Sequence, residues 1–445
     1  MKAELTGKKE RFSYFGFFFG QNIIYVILFQ YLAYFYTEGV GLTPVAVSIL
    51  LLIAKMWDAV NDPIMGVIID KTRFKSGKKF LPWIRFVTYA LPISTVLVFC
   101  NFGSSMTMKL VFAYITFIMW DMIYTVGDAP IFSLATVMTD NTNERDKLMT
   151  YGRFGAPLAA LASAVFLTVK GSVGYAGTAL IYAGVAFLFM MPVQFLAKER
   201  ITYKRDTDIP IKTIISAILK NKYLLIYFVG FLATEITNTI QIMAAYFANS
   251  NLGDENMTTV ILAATIVPLL AVVPFLPKLI QAFGKRKLTI ICSAAFIVIS
   301  VVQYFIGYDS FILFLAISIV RVIFMQIPML IYGMFTADCM EYGAYTTKHR
   351  TEGLAFSIQT FVTKLGGALA SAFSLWLLQY FGYLQQSATQ SPQALNGIWA
   401  LMTIIPSGGY IVMLIIMLFF YDLKESDVQR MVDEMKQEQT QESVQ

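Results

Sequence analysis

The sequence predicts an all-α polytopic membrane protein, with twelve transmembrane helices arranged as two six-helix halves. Three observations carry this reading. Of the 445 residues, 57% are hydrophobic and 14% charged, against roughly 25% charged in soluble domains. The charge deficit falls in long runs, each near the ~20 residues that cross a hydrocarbon core. Basic residues gather in alternate connectors, the arrangement that fixes membrane topology, so the net charge of +6 does not point to nucleic acid. Twelve crossings of about 22 residues use about 264 positions and leave the rest for loops and tails, whereas a soluble enzyme with one anchor does not fit.

The elements follow in order. Residues 1–11 are basic and lead into a first apolar run at about 12–37, interrupted by Gln21 and Asn22. No small-residue cleavage site follows, so this run reads as an uncleaved first helix. Further spans are expected at about 43–70, 81–102, 108–138, 150–172 and 176–197. A basic connector at 198–221, with Lys198, Arg200, Lys204, Arg205, Lys212 and Lys220, separates these from six more. Those lie at about 222–250, 258–283, 288–307, 309–338, 353–383 and 394–421. All are read as helices, because an open strand edge cannot be left unpaired in lipid.

The expected organisation is thus an N-terminal half over 1–197, a cytoplasmic connector over 198–221, a C-terminal half over 222–421 and a cytoplasmic tail over 422–445. In the tail, Leu423, Val428, Val432 and Met435 form a weak apolar stripe that predicts a short surface helix. A faint repeat supports the two halves. Gly66-Val67-Ile68-Ile69-Asp70 followed by Gly77-Lys78-Lys79, after the second span, is echoed by Gly284-Lys285-Arg286-Lys287 after the eighth. Parallel half-repeats are a transporter architecture with the substrate site near the midplane between halves.

All but seven of the 34 Lys and Arg lie with the termini. Only Lys109 and Lys170 fall on the opposite side, which puts both termini in the cytoplasm of a cell-membrane protein. The other five, Lys55, Arg153, Lys278, Arg321 and Lys364, fall inside predicted spans. Cys100, Cys292 and Cys339 lack metal-ligand spacing and read as small packing residues.

Charges inside spans are costly and need a partner or a wet cavity. The second span carries Lys55, Asp58, Asn61 and Asp62 at offsets of 3 and 4, hence on one helical face. Two carboxylates one turn apart repel unless a cation or a base neutralises them, so they form a candidate cation or proton site. Carboxylate, amide and hydroxyl oxygens are the hard ligands a small cation prefers. The competing reading is a structural Lys55–Asp58 pair. It leaves Asp62 unexplained, and Pro63 loosens the backbone directly after it.

The fourth span repeats the theme with Asp121, Tyr124, Thr125 and Asp128, flanked by Trp120 and Phe132. Carboxylates beside aromatic rings suit a sugar, whose hydroxyls donate while its C–H faces stack. Most aromatic residues in such a chain pack or sit at interfaces instead. Arg153 and Lys364 are natural countercharges, either contacting substrate or pairing structurally. Glu235, Asn238 and Gln241 form one further polar stripe, and Gln359, Thr360 and Thr363 another. For Arg321, Asp121 is a candidate partner. No Gly-x-Ser-x-Gly, His-Glu-x-x-His or phosphate-loop motif is present, and His349 is the single histidine, so the sequence does not read as an enzyme.

The motifs resemble a family. Trp57-Asp58-Ala59-Val60-Asn61-Asp62-Pro63-Ile64-Met65-Gly66, followed by Gly77-Lys78-Lys79-Phe80-Leu81-Pro82-Trp83, is similar to the glycoside-pentoside-hexuronide:cation symporters. This is the branch of the major facilitator superfamily that includes the melibiose carrier. The block Tyr124-Thr125-x-x-Asp128-x-Pro130, then Glu144-Arg145-Asp146 and Arg153-Phe154, agrees. So does Ala337-Asp338-x-x-Glu341-Tyr342-Gly343, followed by Arg350-x-Glu352-Gly353 and Thr360-Phe361-x-x-Lys364. The resemblance covers nearly the whole chain.

It implies a carrier that imports a sugar with Na+ or H+ by alternating access, without a cofactor and working as a single chain. Asp58, Asn61, Asp62 and Thr125 match the positions around the cation, which would be Na+ in a sodium-coupled carrier. Asp128 and Arg153 match sugar-holding positions, Lys364 a lysine near both sites, and Gln359 and Thr360 cavity positions. Asn22 and Phe132 stand where the melibiose branch has an aspartate and a tryptophan, so a xyloside, another glycoside or a hexuronide is as suitable as melibiose. With Trp120 and Tyr124, these complete the expected sugar site. A passive facilitator or channel using the same acids as a selectivity ring is the alternative.

Overall fold

The structure is a computed structural model that describes residues 6–72, 74–139, 142–200, 221–347 and 352–442. Among these the chain is helical, and ten helical runs are long and apolar enough to cross a membrane. The expected second and fifth spans are also helical. The second is α2 (Pro44–Lys71), a helix of 28 residues with Lys55, Asp58 and Asp62 in its middle. The fifth is broken into α5 (Thr142–Arg153) and α6 (Gly155–Ser163), where a single span over 150–172 was expected.

The remaining helices of the first part are α1 (Lys8–Tyr34), α3 (Leu81–Val98), α4 (Met106–Met138), α7 (Phe166–Met190) and α8 (Val193–Leu196). Helix α1 ends in a π turn, Phe35–Gly39. Helix α7 is interrupted at Gly174, whose φ of 73° is open at low cost only to glycine; the fifth span ends and the sixth begins there. Local signals set the starts. Thr43 caps α2 by accepting from Ala46 N–H, with Pro44 at its first position, and Ser105 caps α4 through Met108 N–H, each satisfying a donor left over at a helix end.

After the connector come α9 (Lys222–Ile236), α10 (Ile240–Ser250), α11 (Met257–Val272), α12 (Leu276–Phe283), α13 (Lys285–Ile306) and α14 (Phe311–Thr347). Then follow α15 (Glu352–Tyr380), α16 (Pro392–Met402), α17 (Ile405–Ile415) and α18 (Glu425–Glu442). The tail is thus helical as expected, with Leu423 and Val428 buried in a core cluster and Tyr345 Oη donating to Glu434.

The helices cluster into two compact units. The first holds residues 1–206, 244–263 and 375–395; the second holds 207–243, 264–374 and 396–445. In the first, α1 lies tight on α7 because Gly16 and Gly20 carry no side chain: a Cβ there would come within 2.7 Å of Phe189 O and 2.6 Å of Ala186 O. This Gly-x-x-x-Gly contact lets two backbones approach where lipid offers no hydrophobic drive. In the second unit the core is aromatic, with Tyr227 in ring contact with Tyr332, Phe335 and Tyr421, and Phe335 with Tyr421. Outward residues such as Ile312, Phe305 and Phe419 are more than three-quarters exposed, the surface a bilayer would cover.

The two Gly-Lys segments that echo each other in sequence build the same device. Gly77 and Gly284 have φ of 71° and 73°, and each precedes a helix N-terminus. Glu199, just after α8, accepts the backbone N–H groups of Lys79, Phe80 and Leu81 at 2.6, 2.8 and 2.7 Å. Glu425, at the start of α18, accepts that of Lys285. An acid at a helix N-terminus fills orphan donors and complements the dipole.

Candidate functional site

The candidate ion site is assembled where α2 crosses α4. Because Lys55, Asp58, Asn61 and Asp62 repeat at helical spacing, they share one face, and that face meets the face of α4 bearing Asp121 and Thr125. Asp58 is 4% exposed, Asn61 3%, Asp121 1% and Thr125 4%. Thr125 Oγ1 donates to Asp58 Oδ1 at 3.1 Å. Lys55 Nζ bridges the helices, 3.3 Å from Asp58 Oδ2 and 3.0 Å from Asp121 Oδ1. Asn61 Nδ2 is buried with no hydrogen-bond partner among the described residues, while Asp62 is half-buried one turn beyond Asp58.

This geometry corrects one expectation. Asp121 belongs to Lys55, and it is not the partner of Arg321. Arg321 is 1% exposed, donates through Nη2 to Met402 O at 2.9 Å and lies 5.9 Å from the centre of the Phe296 ring. Its role is to terminate α16, whose last carbonyls would otherwise be orphaned at the break before α17. Sequence spacing could not show this, because Met402 is 81 residues away and contributes only backbone.

The expected sugar residues of the first unit fall along α1 and α4. Asp128 is half-buried, with Gln21 Nε2 3.5 Å from its Oδ1. Gln21 is a polar neighbour that the sequence reading passed over in favour of Asn22; its signal was its place inside an apolar run. Asn22 Nδ2 turns back to Phe18 O at 2.7 Å. Tyr124 lies between Tyr25 and Trp120, with ring centroids 5.4 and 5.3 Å away. Trp120 is 2% exposed, and its Nε1 donates to Thr95 Oγ1 at 3.0 Å, tying α4 to α3. Phe132 is 43% exposed and packs edge-on to Phe18 at 5.1 Å.

In the second unit, Lys364 and Gln359 are half-buried on α15, and Gln359 Oε1 has no hydrogen-bond partner among the described residues. Glu235, 6% exposed, is pressed against α15: a Cβ on Gly366 would come within 2.3 Å of its own Cβ. The side chains of Arg153 and Thr360 lie outside the described residues, as do Arg73, His349 and Arg350 and the side chains of Asp146 and Glu352. Among the described residues no cluster of three or more His, Cys, Asp or Glu could hold a metal ion. The groups that do meet, two carboxylates joined through Lys55 and a hydroxyl, are hard oxygen donors that suit an alkali cation or a proton rather than a transition metal.

Comparison with known proteins gives one consistent picture. A family model described as MFS/sugar transport protein matches residues 17–425. The isoprimeverose transporter of Lactiplantibacillus pentosus is 30% identical over 428 residues, covering 92% of this chain and 88% of that one. The inner membrane symporter YicJ of Escherichia coli is 27% identical over 452 residues, covering 98% and 96%. Among solved structures, a D-xylose-proton symporter superposes with a TM-score of 0.64 at 12% identity, over 93% of this chain and 97% of that one.

Proposed function

This chain belongs to the MFS/sugar transport protein family and is a multi-pass membrane transporter, not an enzyme; on that premise we propose that it imports a sugar or glycoside in symport with Na+ or H+ by alternating access. Its two six-helix halves, 1–197 and 222–421, would rock about a midplane site, with both termini in the cytoplasm. The observation that carries the coupling is the buried α2–α4 cluster, where Asp58, Asp121 and Thr125 converge beside Asn61 and Asp62. Charged groups are kept at such depth for ion or proton traffic.

In this reading the ion neutralises acid on α2 and lets that helix settle against α4, whose Asp128 then holds a sugar hydroxyl next to Gln21 and Asn22. Arg153 contributes from α5, and Lys364, Gln359 and Thr360 from α15. Tyr124, with Trp120 behind it, and Phe132 offer ring faces to the sugar's C–H surface. Linkage makes the effect mutual: an ion that raises sugar affinity tenfold has its own affinity raised tenfold, a coupling of about 1.4 kcal/mol. Isoprimeverose, carried by the relative of that name, heads a panel of glycosides, pentosides and hexuronides to be tested for uphill accumulation in vesicles with and without Na+.

One observation favours a second reading, a passive facilitator. Lys55 already neutralises part of the acid cluster from within the protein, so no outside ion is strictly demanded. Accumulation against a gradient separates the two: a facilitator equilibrates its sugar and never exceeds the outside concentration.

A further inference from the structure

We propose that Glu235, on α9, is a proton-binding site of the second unit, separate from the α2–α4 cluster, and that it is carried as the neutral acid in the packing seen here. The side chain is 6% exposed, and its Oε1 is buried with no hydrogen-bond partner among the described residues. A Cβ on Gly366 of α15 would lie 2.3 Å from the Glu235 Cβ. The phenols of Tyr332 on α14 and Tyr410 on α17 are within electrostatic reach, and Tyr332 Oη is likewise buried without a partner among the described residues. Of the charged residues on these helices, Arg321 donates to Met402 O and Asp338 pairs with Lys285. Glu341 lies nine residues beyond Tyr332 on α14. Helix α15 carries Glu352 at its start and Lys364 two residues before Gly366, and α17 carries no charge.

The backbone points the same way. Helix α9 ends at Ile236 and α10 starts at Ile240, so the span is broken directly after Glu235. The break is held by hydrogen bonds: Gly409 N–H donates to Thr237 Oγ1 at 3.2 Å, the Thr239 hydroxyl donates to Leu401 O, and Asn238 N–H donates to Glu235 O at 3.1 Å. Glu235 therefore sits in the last turn of a helix, at the negative end of its dipole, where a carboxylate is repelled. Burial away from water opposes the ionised form as well. Protonation also answers a local need. Asn238 Oδ1, three residues on, is buried and lacks a donor among the described residues; a carboxylate has none to offer, whereas the neutral acid has one. Half-helix ends at a broken span are where transporters hold ions and protons, and a proton needs no room beyond the acid's own, which suits a side chain pressed this closely against α15. The acid meets water and exchanges its proton only when α9 parts from α15 and α17, so protonation is linked to the packing of these helices.

The test is infrared difference spectroscopy of the purified full-length protein in detergent near neutral pH, wild type against Glu235→Gln. The wild type is expected to show the carbonyl band of a protonated carboxylic acid that Glu235→Gln loses, in NaCl and in choline chloride alike. Unfolding the wild type in dodecyl sulfate, in unbuffered solution at the same pH, is expected to release about one proton more than unfolding Glu235→Gln, because the unfolded carboxyl ionises at roughly pH 4.3. A carboxylate band in place of the acid band overturns the proposal, as does equal proton release. So does an acid band that sodium removes, since the site would then hold the metal ion. If Glu235→Gln does not fold, Glu235→Asp serves: its acid band is expected to be displaced from the wild-type position, and an acid region identical to that of the wild type overturns the proposal. Neither measurement needs sugar, so a failed uptake assay in vesicles would sink the transport reading while leaving the proton site to stand or fall separately.

Discussion

The Tyr383 hydroxyl donates to Glu38 Oε1 at 3.0 Å, joining residues 345 positions apart at the end of α1. The same carboxylate accepts the backbone N–H of Gln386 at 3.0 Å, and the Gln386 side chain donates back to Glu38 O at 3.2 Å. Gln386 is held at a φ of 55°, and Gly41 opposite leaves no room for a Cβ, which would come within 2.9 Å of the Gln386 amide. This is a latch within the first unit. Glu38→Ala should loosen it, so that a cysteine introduced at Ser387 is alkylated several-fold faster than in the parent; an unchanged rate would show that the latch bears no load.

Asp62→Asn should abolish cation-dependent uphill uptake while leaving the protein folded, since the residue is only half-buried and the isosteric amide keeps its shape. Undiminished accumulation in that variant would reject the ion-site assignment.

Arg321→Ala should destabilise the protein by about 2–4 kcal/mol, through the cavity left by a large buried side chain and the orphaned Met402 carbonyl. The check is the unfolding midpoint in detergent, alongside Arg321→Lys, which keeps a donor and should lose less.

Gly409→Ala introduces a methyl 2.2 Å from Ala233 O and 2.4 Å from Thr237 Oγ1. The first of these is backbone and cannot swing aside, so overpacking of about 1–3 kcal/mol is expected. A Gly409→Ala protein as stable as its parent would mean that α9 and α17 separate at no cost.

Glu144, in the first turn of α5, accepts hydrogen bonds from Lys147, Thr6 and Arg11. The Lys147 bond first, with Thr6 and Arg11 adding to it, holds this carboxyl below the usual carboxylate range. A depressed folded value means that the stabilisation is complete above the unfolded value of roughly 4.3 and is lost as pH falls through the folded one. Glu144→Gln should therefore lower the unfolding midpoint at neutral pH, and the gap from wild type should close on acidification. A gap independent of pH would contradict the assignment.

Much of the fold was legible because lipid imposes a one-dimensional rule: each span must be long, apolar and internally hydrogen-bonded. That rule found α2 despite the charges in its middle, and it misses the break between α5 and α6. The Gly16/Gly20 contact of α1 with α7 had a readable signal in its spacing, but only the neighbouring backbone showed its partner.

The sequence by itself determined that this is a membrane-embedded helical transporter, and it put Asp58, Asn61 and Asp62 on one face, since helical periodicity and the cost of buried charge are local properties of the chain. Only the tertiary structure decided which charges meet. It gave Asp121 to Lys55 and a backbone carbonyl to Arg321, because partners across a helix interface are chosen by register and side-chain reach between segments far apart in sequence, and no spacing within one segment encodes them.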